Sequence, residues 1–361
     1  MTRKPYRVAV WGPGTMGKAA IREILRLPEV ELVSVLGYNT DNNGRDVGEF
    51  LGKEPCGVAI TTDMDTFLAA KPEVILHTAR DFADFRADDE IVHVLEQGFN
   101  VISVLPYQYP AARGQDVHDR LHAAGVKGGA TLYGTGIDPG FFYERLAPLM
   151  TGLSSEIEQI KLKEYTSLIN QGPDILPLFG FGTTIEQVEK DPIAATMAGN
   201  YLTMGMHYLA DHLGLHIDRI ERTAHHVLAP EKMSIDSGFS VEPDTVGMLR
   251  YDWVGYVDEK PMFQIEVFWY LNEVLRPDNV PCDDYWVIEI EGRPSTRLGL
   301  EVVGSLKRAE RLVPDNPAPL AYIASIIPAI QAIPAVVRAD PGILDTEMPQ
   351  FHWLPDLRDA K

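Results

Sequence analysis

Three glycines near the start of the chain are spaced G-x-G-x-x-G, at Gly12, Gly14 and Gly17, with Thr15 and Met16 between the last two. A segment that predicts a strand precedes them, and apolar residues at helical spacing follow. In such a turn the first glycine allows the tight bend, the second lets a pyrophosphate approach, and the third lets the helix pack on the strand. The helix N-terminus supplies N–H groups for the phosphates. The spacing predicts a dinucleotide-binding turn, although a plain strand-to-helix turn can carry the same glycines.

Polar residues also stand where later strands of this region are predicted to end. His77 and Thr78 close one apolar segment, and Tyr107 and Gln108 follow another. Ligands of parallel α/β sheets bind beyond the carboxyl ends of the strands, so these residues are candidates for the site. Tyr107 and Gln108 would lie beside a substrate carbonyl or imine, where a tyrosine can donate a proton. The alternatives are a structural histidine and a rigid loop with packing tyrosines.

A second glycine-rich stretch, G-T-G-I-D-P-G-F-F, begins at Gly134. Gly136 permits close approach of the backbone, and Pro139 removes an N–H and fixes φ. Asp138 suits the N-cap of the helix predicted to follow, and capping alone would explain its presence. We expect Gly136, Asp138 and Pro139 to contact the cofactor, mainly through the backbone.

Composition excludes several classes of function. The formal charge of −20 would repel a polyanion, so no nucleic-acid binding is predicted. No apolar run is long enough to span a membrane, and no stretch at the start has the pattern of a signal peptide. Cys56 and Cys282 form no C-x-x-C motif, so we expect a cytoplasmic protein. The histidines lack the spacing of metal ligands, and no metal site is predicted.

The elements that must position these residues change character along the chain. Strands and helices alternate up to about residue 130, which predicts a doubly wound parallel sheet of the Rossmann α/β class. Strand-rich segments after a helical region predict a second α+β domain with an antiparallel sheet. The predicted domains are 1–145 for dinucleotide binding, 146–315 for substrate binding and dimerisation, and 316–361 for a helix and tail that return to the first domain. Pro328 and Pro334 should kink or segment that helix.

The chain resembles the dihydrodipicolinate-reductase-like family, which includes 2,4-diaminopentanoate dehydrogenase and the native amine dehydrogenases. The resemblance rests on the glycine turn, the segment Tyr107–Pro110, the stretch from Gly134, and the tail Ala332–Ile343. It implies a Rossmann domain, an α+β domain that carries the interface of a homodimer, and a nicotinamide cofactor between the domains. The activity implied is hydride transfer to or from a small amine or imine carbon, with a small amine or carbonyl compound as substrate.

One segment departs from that family. Its amine dehydrogenases are expected to carry a glutamate in the loop that here runs from Leu105 to Pro110 and contains no acid. Glu144 and Glu164 are candidate substitutes, although Glu164 can simply alternate on a strand and Glu144 can simply face solvent. Two alternatives stay open: a carbonyl or alcohol oxidoreductase on the same scaffold, and a non-catalytic nucleotide-binding sensor.

The end of the second predicted strand bears on the choice between NADP and NAD. NAD-binding folds usually carry an acid about twenty residues past the glycines. Asn39 and Thr40 stand there as neutral donors suited to a 2′-phosphate, and Arg45 could add charge. We therefore predict NADP. Asp41 leaves NAD open, and Asn39 and Thr40 can also simply turn the chain.

Overall fold

The fold is taken from a computed structural model of the 361-residue chain. The structure describes residues 4–79, 85–171, 175–235, 238–307 and 316–345. Of these, 4–141 and 304–345 form one compact unit and 142–303 form a second. The late helix Leu320–Val336 lies within the first unit. The predicted division into domains 1–145, 146–315 and 316–361 stays a prediction.

The first unit contains a parallel sheet. Its strands are β1 (Tyr6–Trp11), β2 (Val30–Leu36), β3 (Ile60–Thr61), β4 (Val74–His77), β5 (Asn100–Ser103), β6 (Thr131–Gly134) and, late in the chain, β16 (Gly342–Ile343). Its helices are α1 (Thr15–Ile24), α2 (Val47–Phe50), α3 (Met64–Ala69), α4 (Asp88–Glu96), α5 (Gln115–Gly128) and α10 (Leu320–Val336). Within the described residues the strand order is β16-β6-β5-β4-β1-β2-β3, and every pair is parallel.

Both faces of this sheet are covered, as its sequence pattern requires. On β1 the side chains of Val8 and Val10 pack in a cluster with α1 and α10. Ala9 and Trp11 belong to a second cluster with α3, α4 and α5. Because successive strand residues point to opposite faces, an all-apolar strand can serve two helix layers. The prediction of a doubly wound Rossmann sheet is confirmed.

The late helix α10 packs against α1, β4 and β5. It runs unbroken across Pro328 and Pro334, so the prolines do not segment it. After it, β16 adds to the free edge of β6 in parallel register. The first unit is thus completed by residues from late in the chain.

Among the described residues, the second unit contains a mixed sheet and four α-helices. Its strands are β7 (Ile157–Ser167), β8 (Arg219–Ala224), β9 (Val227–Leu228), β10 (Met233–Ser234), β11 (Ser240–Val241), β12 (Val246–Val257), β13 (Lys260–Tyr270), β14 (Asp284–Gly292) and β15 (Thr296–Glu301). Its helices are α6 (Ala147–Thr151), α7 (Ile175–Phe179), α8 (Ile185–Lys190) and α9 (Ile193–His212). Among the described residues the order is β15-β14-β7-β13-β12-β8, β9 pairs with β12, and β10 and β11 form a separate pair.

The central pair of this sheet corrects a prediction. β7 and β13 run parallel, whereas the other neighbours along that order are antiparallel. The predicted antiparallel sheet is therefore wrong for this pair. A parallel pair needs a long crossover connection, and helices α7 to α9 lie in the segment between the two strands.

Candidate functional site

The glycine turn between β1 and α1 is packed on one side and open on another. Gly12 has φ of +98°, and a Cβ there would lie 2.4 Å from the Ala79 backbone. A Cβ on Gly17 would lie 2.1 Å from the Gly12 carbonyl oxygen. A Cβ on Gly14 would meet no described atom within 4 Å. The turn therefore has the shape that the motif predicts, with room above Gly14 for a pyrophosphate.

The first turn of α1 follows directly after Gly14. Thr15 is exposed and Met16 is half-buried there, and the turn contains no acidic residue. Thr78 approaches from the end of β4, where its hydroxyl donates to the Gly12 carbonyl at 2.8 Å. Thr78 thus stabilises the glycine turn through this hydrogen bond.

The segment after β2 is exposed. Asn39 uses its side-chain oxygen to accept from the Asp41 N–H at 2.9 Å, which closes a short turn, and Thr40 is exposed. Arg45 donates to the Glu49 carbonyl at 3.2 Å. The Asn39 carbonyl oxygen therefore has a structural role, as the alternative interpretation of this segment holds.

A lysine that the sequence analysis missed joins Arg45. Lys18 on α1 places its Nζ 4.5 Å from the centre of the Phe50 ring, and the Arg45 guanidinium lies 5.5 Å from the same centre. Burial, followed by the charges of Arg22 and Arg45, lowers the pKa of Lys18. These cations make an anion-attracting patch. The available signal was the position of Lys18 directly after the third glycine.

His77 lies inside the core of the first unit. Its side chain is fully buried, its ring lies 4.5 Å from that of Trp11, and Nδ1 lies 3.0 Å from the Ser103 hydroxyl. The Ser103 oxygen also accepts from the Leu105 N–H. Burial lowers the pKa of His77 to about 3, so the ring is neutral near pH 7. Its Nε2 is buried without a hydrogen-bond partner among the described residues, and contact of His77 with the cofactor stays a prediction.

Tyr107 is fully buried, and its hydroxyl donates to Asp88 Oδ1 at 2.7 Å. Arg113 forms an ion pair with the same carboxylate, and its Nη1 lies 3.2 Å from Oδ1. The Arg113 guanidinium also lies 3.6 Å from the centre of the Phe85 ring. Asp88, at the start of α4, therefore binds both Tyr107 and Arg113, the first and last residues of the segment 107–113.

Gln108 is 3% exposed, and neither polar atom of its amide has a hydrogen-bond partner among the described residues. Thr135, which sequence reasoning missed, is fully buried with its hydroxyl in the same condition. The backbone segments that carry these two residues pack closely. A Cβ on Gly134 would lie 2.2 Å from the backbone nitrogen of Gln108. The Thr135 N–H donates to the Ser103 carbonyl at 2.9 Å. Buried polar groups are rarely left without partners, so an ordered water or a ligand would supply the partners of these atoms.

The second glycine-rich stretch forms a compact bend. A Cβ on Gly136 would lie 2.7 Å from the Pro139 carbonyl oxygen, and one on Gly140 would lie 2.8 Å from the Thr135 carbonyl carbon. The backbone is non-helical at Asp138, Pro139 and Gly140. Asp138 therefore precedes the helical turns that lead to α6. Its predicted N-cap position is wrong because Pro139 and Gly140, which follow it, are still non-helical.

Three buried carboxylates lie among the described residues of the second unit, at Glu144, Glu164 and Asp252. Glu144 is fully buried, and its Oε1 lies 3.2 Å from where a Cβ on Gly205 would stand, so it does not face solvent. Glu164 is 8% exposed and accepts from Trp269 Nε1 at 2.6 Å and from Trp286 Nε1 at 3.1 Å. Across the described ranges no three potential metal ligands come together. No described helix combines the length and the apolarity needed to cross a bilayer.

Two protein-family models match the chain. The N-terminal domain of dihydrodipicolinate reductase matches residues 6–100, and the C-terminal domain of 2,4-diaminopentanoate dehydrogenase matches residues 141–356. With the Rossmann sheet and its glycine turn, these matches define a nicotinamide-dependent oxidoreductase, which removes the sensor alternative. More narrowly, the chain belongs to the 2,4-diaminopentanoate dehydrogenase family.

Individual proteins that are similar to this chain carry names of the same family. An amine dehydrogenase of Streptomyces virginiae is 28% identical, with 93% of this chain and 94% of that protein covered. The 2,4-diaminopentanoate dehydrogenase of Acetoanaerobium sticklandii is 25% identical, with 98% and 96% covered. The solved amine dehydrogenase of Mycobacterium smegmatis has the same fold, with a TM-score of 0.78, 20% identity, and 97% and 98% of the two chains covered.

Proposed function

We propose that this chain is an NADP-dependent amine dehydrogenase that interconverts a small primary amine and the corresponding carbonyl compound. In the oxidative direction the alkylammonium ion, NADP⁺ and water give the carbonyl compound, ammonium, NADPH and a proton. The observation that carries the proposal is the buried, unsatisfied amide of Gln108, in the loop that follows β5 at the carboxyl edge of the sheet that also holds the glycine turn.

The residues present fit the dinucleotide. Gly14 leaves open space where a pyrophosphate would lie, and the N-terminal turn of α1, with Thr15 and Met16, offers its N–H groups. The Gln108 amide offers both a donor and an acceptor, which complements the carboxamide of a nicotinamide ring. When bound, the cofactor supplies the hydride chemistry.

The remaining residues of this site position those groups. Thr78 holds the glycine turn, and Asp88 holds the loop that carries Gln108 through Tyr107 and Arg113. Because the Tyr107 hydroxyl donates to a carboxylate, its role in our proposal is to hold Gln108 in place. Gly136, Asp138 and Pro139 would border the cofactor through the compact bend after β6.

The proposal of an amine substrate is supported by the family and not by the residues of the loop from Leu105 to Pro110. The two curated relatives carry the names amine dehydrogenase and 2,4-diaminopentanoate dehydrogenase. The loop from Leu105 to Pro110 contains no acid that could hold a cationic nitrogen. The acid that an amine substrate requires would therefore come from another part of this chain.

Preference for NADP is supported by charge. A 2′-phosphate adds negative charge beyond the end of β2, and Lys18 and Arg45 gather around Phe50 beside that end. Thr40 is exposed there and can donate from its hydroxyl. We assign the 2′-phosphate to these three residues, with Asn39 shaping the turn.

We further propose a cytoplasmic homodimer. Cys56 and Cys282 are both free thiols, as expected in a reducing compartment. One face of the second sheet carries alternating charges, in which Lys163 pairs with Glu266 and Glu289. A face of mixed charge can pair with a copy of itself, because opposite signs meet across a two-fold axis. Sedimentation should give twice the chain mass, and a monomer would contradict this assembly.

The amine chemistry is tested by a steady-state screen. Purified protein is mixed with NADPH or NADH and with small ketones or aldehydes, with and without ammonium chloride. Oxidation of NADPH that requires both carbonyl compound and ammonium supports the proposal. Oxidation with the carbonyl compound alone would replace it with a carbonyl reductase. A stronger rate with NADH would overturn the cofactor assignment alone.

A further inference from the structure

The second unit buries a carboxylate where its strand pattern calls for an apolar side chain. On β7 the residues Ile160, Leu162 and Glu164 share one face, and all three are buried. Burying a carboxylate in place of an apolar side chain is unfavourable unless donors surround it. A leucine at position 164 would avoid that cost, so the charge itself needs an explanation.

The neighbours of Glu164 are aromatic. Trp286 lies directly opposite it on β14, and Trp269 lies on β13, at the other side of β7. Each indole donates its N–H to a different oxygen of the carboxylate, at 2.6 Å for Trp269 and 3.1 Å for Trp286. The two bonds fix the carboxylate plane and keep both indole rings beside it.

Further rings extend this aromatic surround. Phe179 of α7 stacks on Trp269 with ring centres 5.7 Å apart, and Phe142 lies 6.5 Å from Trp286. An oriented carboxylate among aromatic rings is the chemistry that recognises an organic ammonium ion, through charge and through the ring faces. Primary amines carry that charge near pH 7, as the side chain of lysine does.

We propose that Glu164, Trp269 and Trp286 bind the ammonium group of the amine substrate. This inference rests on the proposed function for its substrate class. Glu144 and Asp252 are the other buried acids among the described residues of this unit. Glu144 is fully buried against Gly205, whereas Glu164 retains 8% exposure. Asp252 lies 3.6 Å from Arg250 Nη2 and 3.6 Å from His225 Nε2, so its charge is already matched by basic side chains.

The test measures binding directly. Propylammonium chloride is titrated calorimetrically into wild-type protein, Glu164→Gln and Glu158→Gln. Glu158 is the matched control, because it lies on the same strand and is exposed. Glu164→Gln should weaken propylammonium binding about tenfold or more. Glu158→Gln should bind like the wild type, and the affinity for NADPH should be equal in all three proteins. Equal propylammonium affinity in Glu164→Gln and wild type would overturn the site.

A second measurement needs no variant at position 164. Indole ¹⁵N-labelled wild-type protein is titrated with propylammonium, and the indole signals are assigned with Trp269→Phe and Trp286→Phe. Binding at Glu164 should shift these two signals and leave Trp11, in the first unit, unchanged. Shifts confined to other indoles, or none at saturation, would show that Glu164 only holds the two tryptophans.

The two proposals can fail separately. If wild-type protein turns over with ammonium while Glu164→Gln keeps the same KM for ammonium, the ammonium site is wrong and the enzyme assignment stands. If propylammonium binds in a Glu164-dependent way but no carbonyl compound is aminated, the site stands and the proposed function fails.

Discussion

At 3% exposure, Gln108 holds both polar atoms of its amide away from bulk water, with no partner among the described residues. A buried polar group in that condition costs about 1–3 kcal/mol of folding stability. Such groups persist where binding needs them, and proteins often sacrifice stability at functional sites. Gln108 is therefore expected to oppose folding and to favour turnover.

Gln108→Leu separates those two effects. The leucine has similar size and no polar atoms, so the free energy of unfolding should stay equal or rise by about 1 kcal/mol. The kcat/KM of the reaction should fall at least about tenfold, because the amide no longer orients the cofactor. Thermal unfolding and steady-state rates are measured on the same preparations.

Tyr107→Phe is a companion variant, because Tyr107 holds Gln108 in place in the proposal. It removes the hydroxyl that donates to Asp88 and should lower stability by about 1.5–3 kcal/mol. If Gln108→Leu is as active as wild type, the amide lies outside the site.

His77 gives the protein a pH-dependent stability. Burial lowers its pKa to about 3, against about 6.5 in an unfolded chain. Between pH 6.5 and pH 3 the histidine is protonated in the unfolded chain but neutral in the folded chain. The contribution of His77 to the free energy of unfolding is therefore fully present above pH 6.5 and is lost as the pH falls towards 3. Between pH 7 and pH 5 the loss should be about 2 kcal/mol. Urea unfolding of wild type and His77→Gln at both pH values measures it, and parallel losses in the two proteins would contradict the assignment.

Lys18 tests the 2′-phosphate assignment. Lys18→Ala should weaken NADPH by about 1.5–3 kcal/mol, the range for a charged hydrogen bond, and leave NADH nearly unchanged. Arg26→Ala is the control, because Arg26 follows the same helix and pairs with Glu23. An equal loss for both nucleotides would mean that Lys18 supports the turn and does not read the phosphate.

At the scale of elements, the glycine turn allows a sharp contrast between fold and ligand. A side chain at Gly14 enters open space, whereas one at Gly17 meets the Gly12 carbonyl oxygen. Gly14→Val should therefore keep the melting temperature while NADPH affinity falls at least about 100-fold, or about 2.7 kcal/mol. Gly17→Ala should unfold at a lower temperature even without nucleotide, because α1 must move away from β1. Calorimetric titration and thermal unfolding decide between them, and normal NADPH binding by Gly14→Val would refute the turn.

These elements also show what the sequence can predict. Gly12, Gly14 and Gly17 act within one turn, so their spacing alone carries their roles. Thr135 and Lys18 gain their significance from neighbours that only the fold brings close, and local patterns did not single them out. The parallel pairing of β7 with β13 was missed for the same reason. Alternation of apolar and polar residues along a strand indicates which of its faces is buried, but it does not indicate the direction of the neighbouring strand.

At the scale of the whole molecule, Asn316 joins the late segment of the first unit to its first helix. It is fully buried, and its Nδ2 donates to Glu23 Oε1 at 2.7 Å and to the Ala19 carbonyl at 3.3 Å. Asn316→Ala leaves the buried Glu23 carboxylate without that donor and should cost about 1–3 kcal/mol. Gln97→Ala, at an exposed position, should change little. Equal melting temperatures for the two variants would argue against a stabilising role for Asn316.

The late arrival of α10 and β16 has a consequence for synthesis on the ribosome. Residues 142–303 emerge between the two parts of the first unit, which at cellular translation rates takes about 10–30 s. Throughout that interval β6 is an edge strand without β16, and the apolar surface that α10 covers is exposed to solvent or held by a chaperone. The second unit, although it begins later, is contiguous and can finish folding first. Nascent chains halted before residue 320 should therefore resist protease in the second unit while the first is still cleaved.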